Sequence, residues 1–328
     1  MRHPFHFSFI CCVIGLIIAY LWGGLTATAI ASMLCIMEIS LSFDNAIMNA
    51  AVLKTMNRKW QLRFLTWGIF IAVFGVRFLF PLLIVAVVAQ LGLWEVSVLA
   101  FTKPDEYSRH LIESNISISA FGGMFLLLVF LSFLFNDHRD IHWLGKIERK
   151  LSQIGKLDAI EIIVASTILL IAVGFVPEVK QFQALASGIV GIILFTVITG
   201  LSHLLGNKQN SRLIQRSSAM SFLYLEVLDA SFSFDGAVGA FAITKDVVII
   251  LIGLTIGALF VRSITLFLVQ KRTLERYLYL EHGAHYAIGA LAFIMLLSMR
   301  VHVPEILTGL IGVVFIGLAL FSSIKHKG

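Results

Sequence analysis

Apolar residues run along this chain in long blocks separated by short polar connections, without the period-two alternation of a half-buried sheet. At about 20 apolar residues per crossing, the blocks predict membrane helices over 6–22, 24–53, 63–91, 115–135, 158–176, 184–205, 218–243, 246–269, 283–299 and 304–324. The expected fold is therefore an all-α polytopic membrane protein of about ten transmembrane helices. The stretch 63–91 is long for one crossing and contains Pro81, which predicts a tilt or kink there and leaves nine crossings open as the count. The connection 136–157 differs from the rest. It carries Ile141, Leu144, Ile147, Leu151 and Ile154 on one stripe and Lys146, Arg149 and Lys150 elsewhere, the pattern of an interfacial amphipathic helix.

Basic residues test this layout independently, because Lys and Arg concentrate on the cytoplasmic side of membrane proteins. With ten helices and both termini inside, 18 of the 25 fall on inner connections and 5 (Lys103, Arg109, Lys180, Lys245 and Arg300) on outer ones, leaving Arg77 and Arg262 within spans. The chain is expected in the cytoplasmic (inner) membrane with both termini cytoplasmic. Arg2 and the small residues after Tyr20 resemble a cleavable signal, but hydrophobic sequence continues through Met37, so an uncleaved first helix is expected.

Composition agrees with this reading. The 328 residues are 59% hydrophobic and 13% charged, with a mean hydropathy of +0.93, far outside the range of soluble domains. The net charge of +6 sits in the connections as a topology signal, and no nucleic-acid partner is implied. Cys11, Cys12 and Cys35 lie in apolar blocks without metal-ligand spacing and read as packing residues. One membrane domain is expected, with the bilayer as its main partner; a homo-oligomer is compatible with it.

Against this apolar background one polar pattern occurs twice. Glu38-Ile-Ser-Leu-Ser-Phe-Asp44-Asn45-Ala46 recurs as Asp229-Ala-Ser-Phe-Ser-Phe-Asp235-Gly236-Ala237. Acids inside a span are costly enough that repeating them points to use. The two segments fall on the second and seventh predicted helices, which run in opposite directions. Gly68 to Arg77 on the third helix has the same nine-residue spacing as Gly253 to Arg262 on the eighth. Two inverted five-helix repeats follow, 6–176 and 184–324, with a site expected at the midplane between them.

On a regular helix Glu38, Ser42, Asn45 and Asn49 share one face, and Glu226, Asp229, Ser233 and Gly236 share another. Asp44 and Asp235 fall off those faces, so both helices are expected to unwind around Ser-Phe-Asp, letting carbonyls and carboxylates converge where backbone lines a polar cavity. The candidate ligands are Glu38, Asp44, Asn45, Glu226, Asp229 and Asp235, with Ser42 and Ser233 in support. This oxygen-only set suits Mn²⁺, Mg²⁺ or Ca²⁺ and disfavours thiolate- or imidazole-loving metals. Crowded buried carboxylates favour protonation when no cation is present, which suggests metal–proton exchange. Arg77 and Arg262 are read as counter-charges to the acids when the site is empty, with pairing to backbone carbonyls or snorkelling as the alternative, and His282 and His285, near the inner start of the ninth helix, as candidate proton carriers or hydrogen-bonded interfacial residues. Asp137-His138-Arg139-Asp140-Ile141-His142 looks like a metal cluster but is read as a helix N-cap with solvated charge. The outer stretch 92–114 is read as an ordinary solvated loop.

These residues, Glu38 to Asn45 and Glu226 to Gly236 together with Arg262 and Glu281-His-Gly-Ala-His285, resemble the TerC-like integral membrane proteins over about 31–323, closest to a poorly characterised bacterial branch. That family is named for tellurium resistance and associated with manganese export. The resemblance implies a metal-ion transporter whose cargo, most simply Mn²⁺, binds at Asp44, Asp235 and their flanking acids, with no permanently bound cofactor and no enzymatic activity. Gly236 departs from the pattern by standing where the first motif has Asn45. Two other readings share the motif: an intramembrane hydrolase with Asp44 and Asp235 as an acid/base pair, and a non-transporting assembly or stress-resistance partner with structural acids.

Overall fold

The computed structural model describes residues 5–137, 139–157, 159–205, 218–301 and 303–327. In order the elements are α1 (His6–Leu41), α2 (Phe43–Leu53), α3 (Arg58–Phe70), a π-helical segment (Ile71–Leu79), α4 (Phe80–Ala89), α5 (Leu93–Thr102), α6 (Pro104–Glu113), α7 (Asn115–Leu134) and α8 (Lys146–Ile154). They continue as α9 (Ile160–Gly174), α10 (Glu178–Leu205), α11 (Ser218–Ile243), α12 (Val247–Gln270), α13 (Thr273–Arg276), α14 (Leu280–Ser298) and α15 (Glu305–Lys327). Among the described residues there is no strand, and seven helices are long and apolar enough to cross a membrane. The chain is an all-α membrane protein. Two predicted spans fall outside those seven for physical reasons: α9 has only 15 residues, and α11 carries Glu226, Asp229 and Asp235 within its 26.

α1 contains a reversal within its 36 residues. Gly23 and Gly24 leave helical geometry there, Gly24 with φ 66° and ψ −156°, a conformation essentially restricted to glycine. Contacts with α12 show what the break does. Before it, Ser8 Oγ donates to the Leu259 carbonyl (2.8 Å), Gly15 faces Ile256, and Trp22 Nε1 donates to Asp246 Oδ2 (2.9 Å), so this half runs antiparallel to α12. After it, Ala31 and Leu34 meet Gly253 while Cys35 and Glu38 meet Gly257, in parallel order. The glycine pair thus divides the element where the sequence predicts a boundary between two helices.

The chain separates into two compact units that do not follow the sequence halves. The first comprises 1–115 and 221–273, the second 116–220 and 274–328. In the first, α1 and α12 pack through Gly253 and Gly257, where any β-carbon would lie within 2.6 Å of Leu34 Cβ or within 2.5 Å of Glu38 Cβ. Pro81, which lacks an N–H and crowds the carbonyl four residues back, stands in the first turn of α4, just after the π-helical segment. The stretch 92–114 is not a solvated loop. It forms the α5–α6 hairpin, whose Val96, Ala100, Tyr107 and Leu111 are buried.

In the second unit α7 is buried along most of its length, with Gly123 against Leu296 and Gly289 against Phe130. The amphipathic stretch is helical only over the nine residues of α8, capped at Gly145 and not at Asp137, because Gly145 takes a positive φ of 58° that ends the preceding coil. His138 lies outside the described residues.

A backbone test follows from Gly24. Gly24→Ala is expected to cost about 1–3 kcal/mol, read as a lower thermal unfolding midpoint in detergent. Gly174→Ala, at a helical position with no atom within 4 Å of the added carbon, should leave the midpoint unchanged or raise it. Equal midpoints for wild type and Gly24→Ala would refute the reversal.

Candidate functional site

Both acidic segments belong to the first unit. The first is interrupted at a single residue: α1 ends at Leu41, Ser42 (φ −102°, ψ 17°) is non-helical, and α2 starts at Phe43. The second is not interrupted, since α11 runs from Ser218 to Ile243 through Asp235. The expected unwinding of both helices is therefore corrected to one break of one residue. Ser42 N–H still reaches the Glu38 carbonyl (3.0 Å) and Ala46 N–H the Ser42 carbonyl (3.0 Å), so the distortion is local. It places Asp44 in the first turn of α2, where the helix dipole favours an anion.

Glu38 is 1% exposed and lies over Gly257, which leaves room for its Cβ and Cγ. Its Oε1 accepts from Ser42 Oγ (3.1 Å) and forms an ion pair with Arg77 Nη2. Arg77 rises from the π-helical segment, where its Nη1 donates back to the Ala72 carbonyl (3.1 Å). π-helical turns are rare and often found where a side chain must be re-aimed.

The second segment repeats the arrangement. Arg262 Nη2 lies 3.3 Å from Asp229 Oδ2 and 3.4 Å from Glu226 Oε1. Its Nη1 donates to the Phe64 carbonyl (2.7 Å), and the guanidinium sits 4.1 Å over the Phe64 ring. Gly68 makes this possible, because a β-carbon there would come within 2.5 Å of Arg262 Nη1 and 2.6 Å of Glu226 Oε1. Asp229 occupies the motif position of Glu38. Each motif acid is thus paired with the arginine that follows it in its own half, Glu38 with Arg77 and Asp229 with Arg262.

Among the described residues one hydrogen bond joins the two segments: Asn45 Nδ2 donates to Asp229 Oδ1 (2.5 Å). The matching position, Gly236, faces Glu38, and a β-carbon on it would lie 2.8 Å from Oε2. An asparagine has room on one side of the pair and not on the other. Asp44 is buried and accepts the Asn45 N–H (2.9 Å); among the described residues no arginine pairs with it. The side chain of Asp235 lies outside the described residues.

Four buried oxygens of this region have no hydrogen-bond partner among the described residues: Asn45 Oδ1, Asn49 Oδ1, Glu226 Oε2 and Ser233 Oγ. Asn45 and Asn49 are one turn apart on α2, and Glu226, Asp229 and Ser233 follow i, i+3, i+7 along α11. The Asn45–Asp229 bond sets these faces against each other. Buried polar atoms are ordinarily satisfied, so four orphan acceptors on facing turns form a surface able to receive a cation. Among the described residues no three His, Cys, Asp or Glu side chains are grouped to hold a metal ion by themselves. Guanidinium nitrogens take up one oxygen each of Glu38, Glu226 and Asp229, and the four orphan oxygens are two amides, one carboxylate and one hydroxyl. Asn49 was legible only as a member of a helix face.

His282 and His285 form a different cluster, in the second unit. It centres on Glu148, a fully buried carboxylate that accepts from Tyr286 Oη (2.7 Å) and the Trp143 N–H (2.9 Å) and pairs with Arg139 Nη2 (3.1 Å). His282 Nε2 stands 3.0 Å from the Ile141 carbonyl, and His285 stacks on Phe133 at 3.7 Å. Glu148 carried no signal in the sequence, being one acid among the many charges of a polar connection.

Removing one member of a buried pair leaves the other as an uncompensated charge, at a cost of about 3–5 kcal/mol. Glu38→Gln is expected to lower the unfolding midpoint accordingly. Adding Arg77→Met should recover most of the loss, since the charge left behind is then gone. Purely additive losses in the double variant would refute the pairing.

No curated protein and no solved structure matches the chain. A family match over residues 43–327, taking in α2, the whole second acidic segment and both arginines, carries the description "Protein of unknown function (DUF475)", and the chain belongs to that family.

Proposed function

We propose that this protein is a secondary transporter that exports a divalent cation, manganese first among the candidates, across the cytoplasmic membrane through the site between the two acidic segments. The observation that carries the proposal is the doubled acid–arginine pair with unsatisfied oxygens beside it. Charge counting makes the case. Glu38, Asp44, Glu226 and Asp229, the acids of the region whose side chains are described, bring four negative charges when ionised, against two from Arg77 and Arg262. The difference equals one divalent cation or two protons, so a site that alternates between them stays near neutrality in the low-dielectric interior.

In this mechanism the arginines hold Glu38 and Asp229 while cargo is away. An arriving cation meets the free oxygens of Asn45, Asn49, Ser233 and Glu226, then draws the carboxylates from their guanidiniums, as Asp44 and Glu226 together release two protons. An all-oxygen donor set favours Mn²⁺, Mg²⁺ and Ca²⁺ over thiolate-seeking metals, and the TerC resemblance puts Mn²⁺ ahead of the other two. Ten crossings in two inverted repeats, with both termini cytoplasmic, supply the symmetry such a site needs. The reversal at Gly23–Gly24 supports that count by separating 6–22 from the helix that carries Glu38.

The test is metal flux into proteoliposomes over a panel of Mn²⁺, Mg²⁺, Ca²⁺, Zn²⁺ and Fe²⁺, with a pH dye inside. Mn²⁺-dependent flux with opposing proton movement is expected, reduced at least about tenfold in Glu226→Gln and Asp44→Asn. Absence of flux for every ion, or flux untouched by both substitutions, would overturn the proposal.

A further inference from the structure

Arg77 borders a small void that the cation reading leaves unused. The void measures about 20 Å³, room for the centre of one water. It is lined by Arg77, Leu82, Ala100, Tyr107, Phe241 and Ile250 among others, and these six are all buried. Arg77 is itself 7% exposed, and its Nε has no hydrogen-bond partner among the described residues. A mostly apolar void, with Arg77 as its one charged lining residue among the described residues, thus adjoins the Glu38–Arg77 pair and the α5–α6 hairpin.

Two contacts join the hairpin to α11 and the residues just after it on this side of the unit. Tyr107 of α6 and Phe241 of α11 pack ring on ring, with centroids 5.6 Å apart at 54°. One turn beyond Phe241, Lys245 forms an ion pair with Asp105, and both side chains are exposed, at 60% and 76%. The charged pair is exposed, the aromatic pair is buried and lines the void, and Arg77 on the void wall pairs with Glu38. A surface ion pair is weak and easily broken, and the hairpin is attached to the unit by a short buried face.

We infer that the α5–α6 hairpin is a gate, in which Tyr107 and Phe241 plug the passage between the Arg77–Glu38 pair and the solvent on the hairpin's side, and Asp105–Lys245 latches it. The passage takes water and a small hydrated cation, and in this role it rests on the transport reading of the acidic site. Tyr107 and Phe241 are gating residues that act by exclusion and do not bind the ion.

Accessibility tests the gate without relying on flux. In a background with Cys11, Cys12 and Cys35 replaced by alanine, Ala100→Cys puts a thiol in the void wall. Full-length protein in proteoliposomes is treated with a membrane-impermeant charged methanethiosulfonate. Labelling of Ala100→Cys alone is expected to be slow. It should rise about tenfold with Tyr107→Ala or Phe241→Ala, and several-fold with the surface change Lys245→Ala, in proportion to the open population. Lys245→Ala keeps the test valid if the aromatic variants fail to fold. Equal labelling rates in all variants would overturn the gate even if metal flux is found. Raised labelling without flux for any ion would uphold the gate and count against the cation reading alone.

Discussion

The structure of the first unit depends on keeping carboxylates ionised or neutralised where water is scarce. An isolated acid at membrane depth is costly, and each of the features described around α1, α11 and α12 lowers that cost. The π-helical segment re-aims Arg77 onto Glu38. Gly257 brings α12 close enough to cover the Glu38 stem, and Gly68 makes room for Arg262 to reach Asp229 and Glu226. Apolar packing alone would place none of these groups.

The same pairing explains why the site has two characters. Ion pairs of this kind contribute little net stability compared with apolar replacements but are expensive to break from one side. They fix geometry. Orphan oxygens on Asn45, Asn49, Glu226 and Ser233 have the opposite effect, leaving polar capacity unused in the interior. Rigid pairs next to unsatisfied acceptors give a site whose charge is held in place while its affinity for a cation is retained.

Much of this was legible in the sequence because charge in an apolar block is conspicuous. Glu38, Asp229, Arg77 and Arg262 stand out against leucine and isoleucine, and their spacing repeats. The division at Gly23–Gly24 was legible too, as a break between apolar blocks. What escaped notice were features that depend on partners distant in sequence. Tyr107 and Ala100 belong to a stretch polar enough to look like a loop, and packing against α4 and Phe241 of α11 makes the α5–α6 hairpin a buried element. Glu148 is hidden in the same way among surface charges. The helix break was foreseen at both motifs from the faces of an ideal helix, yet α11 remains helical, since Glu226, Asp229 and Ser233 already share one face without distortion.

The separations within the two ion pairs also bear on how the chain is made. Glu38 and Arg77 are 39 residues apart, and Asp229 and Arg262 are 33. Each of these two acids is therefore followed by its own cation within about one helical hairpin of newly synthesised chain, and can enter the bilayer with its own charge already answered. The Asn45–Asp229 bond spans 184 residues and closes only after the second half has arrived. Insertion and assembly become separable events: the salt bridges belong to the first, and the joint between the acidic segments belongs to the second.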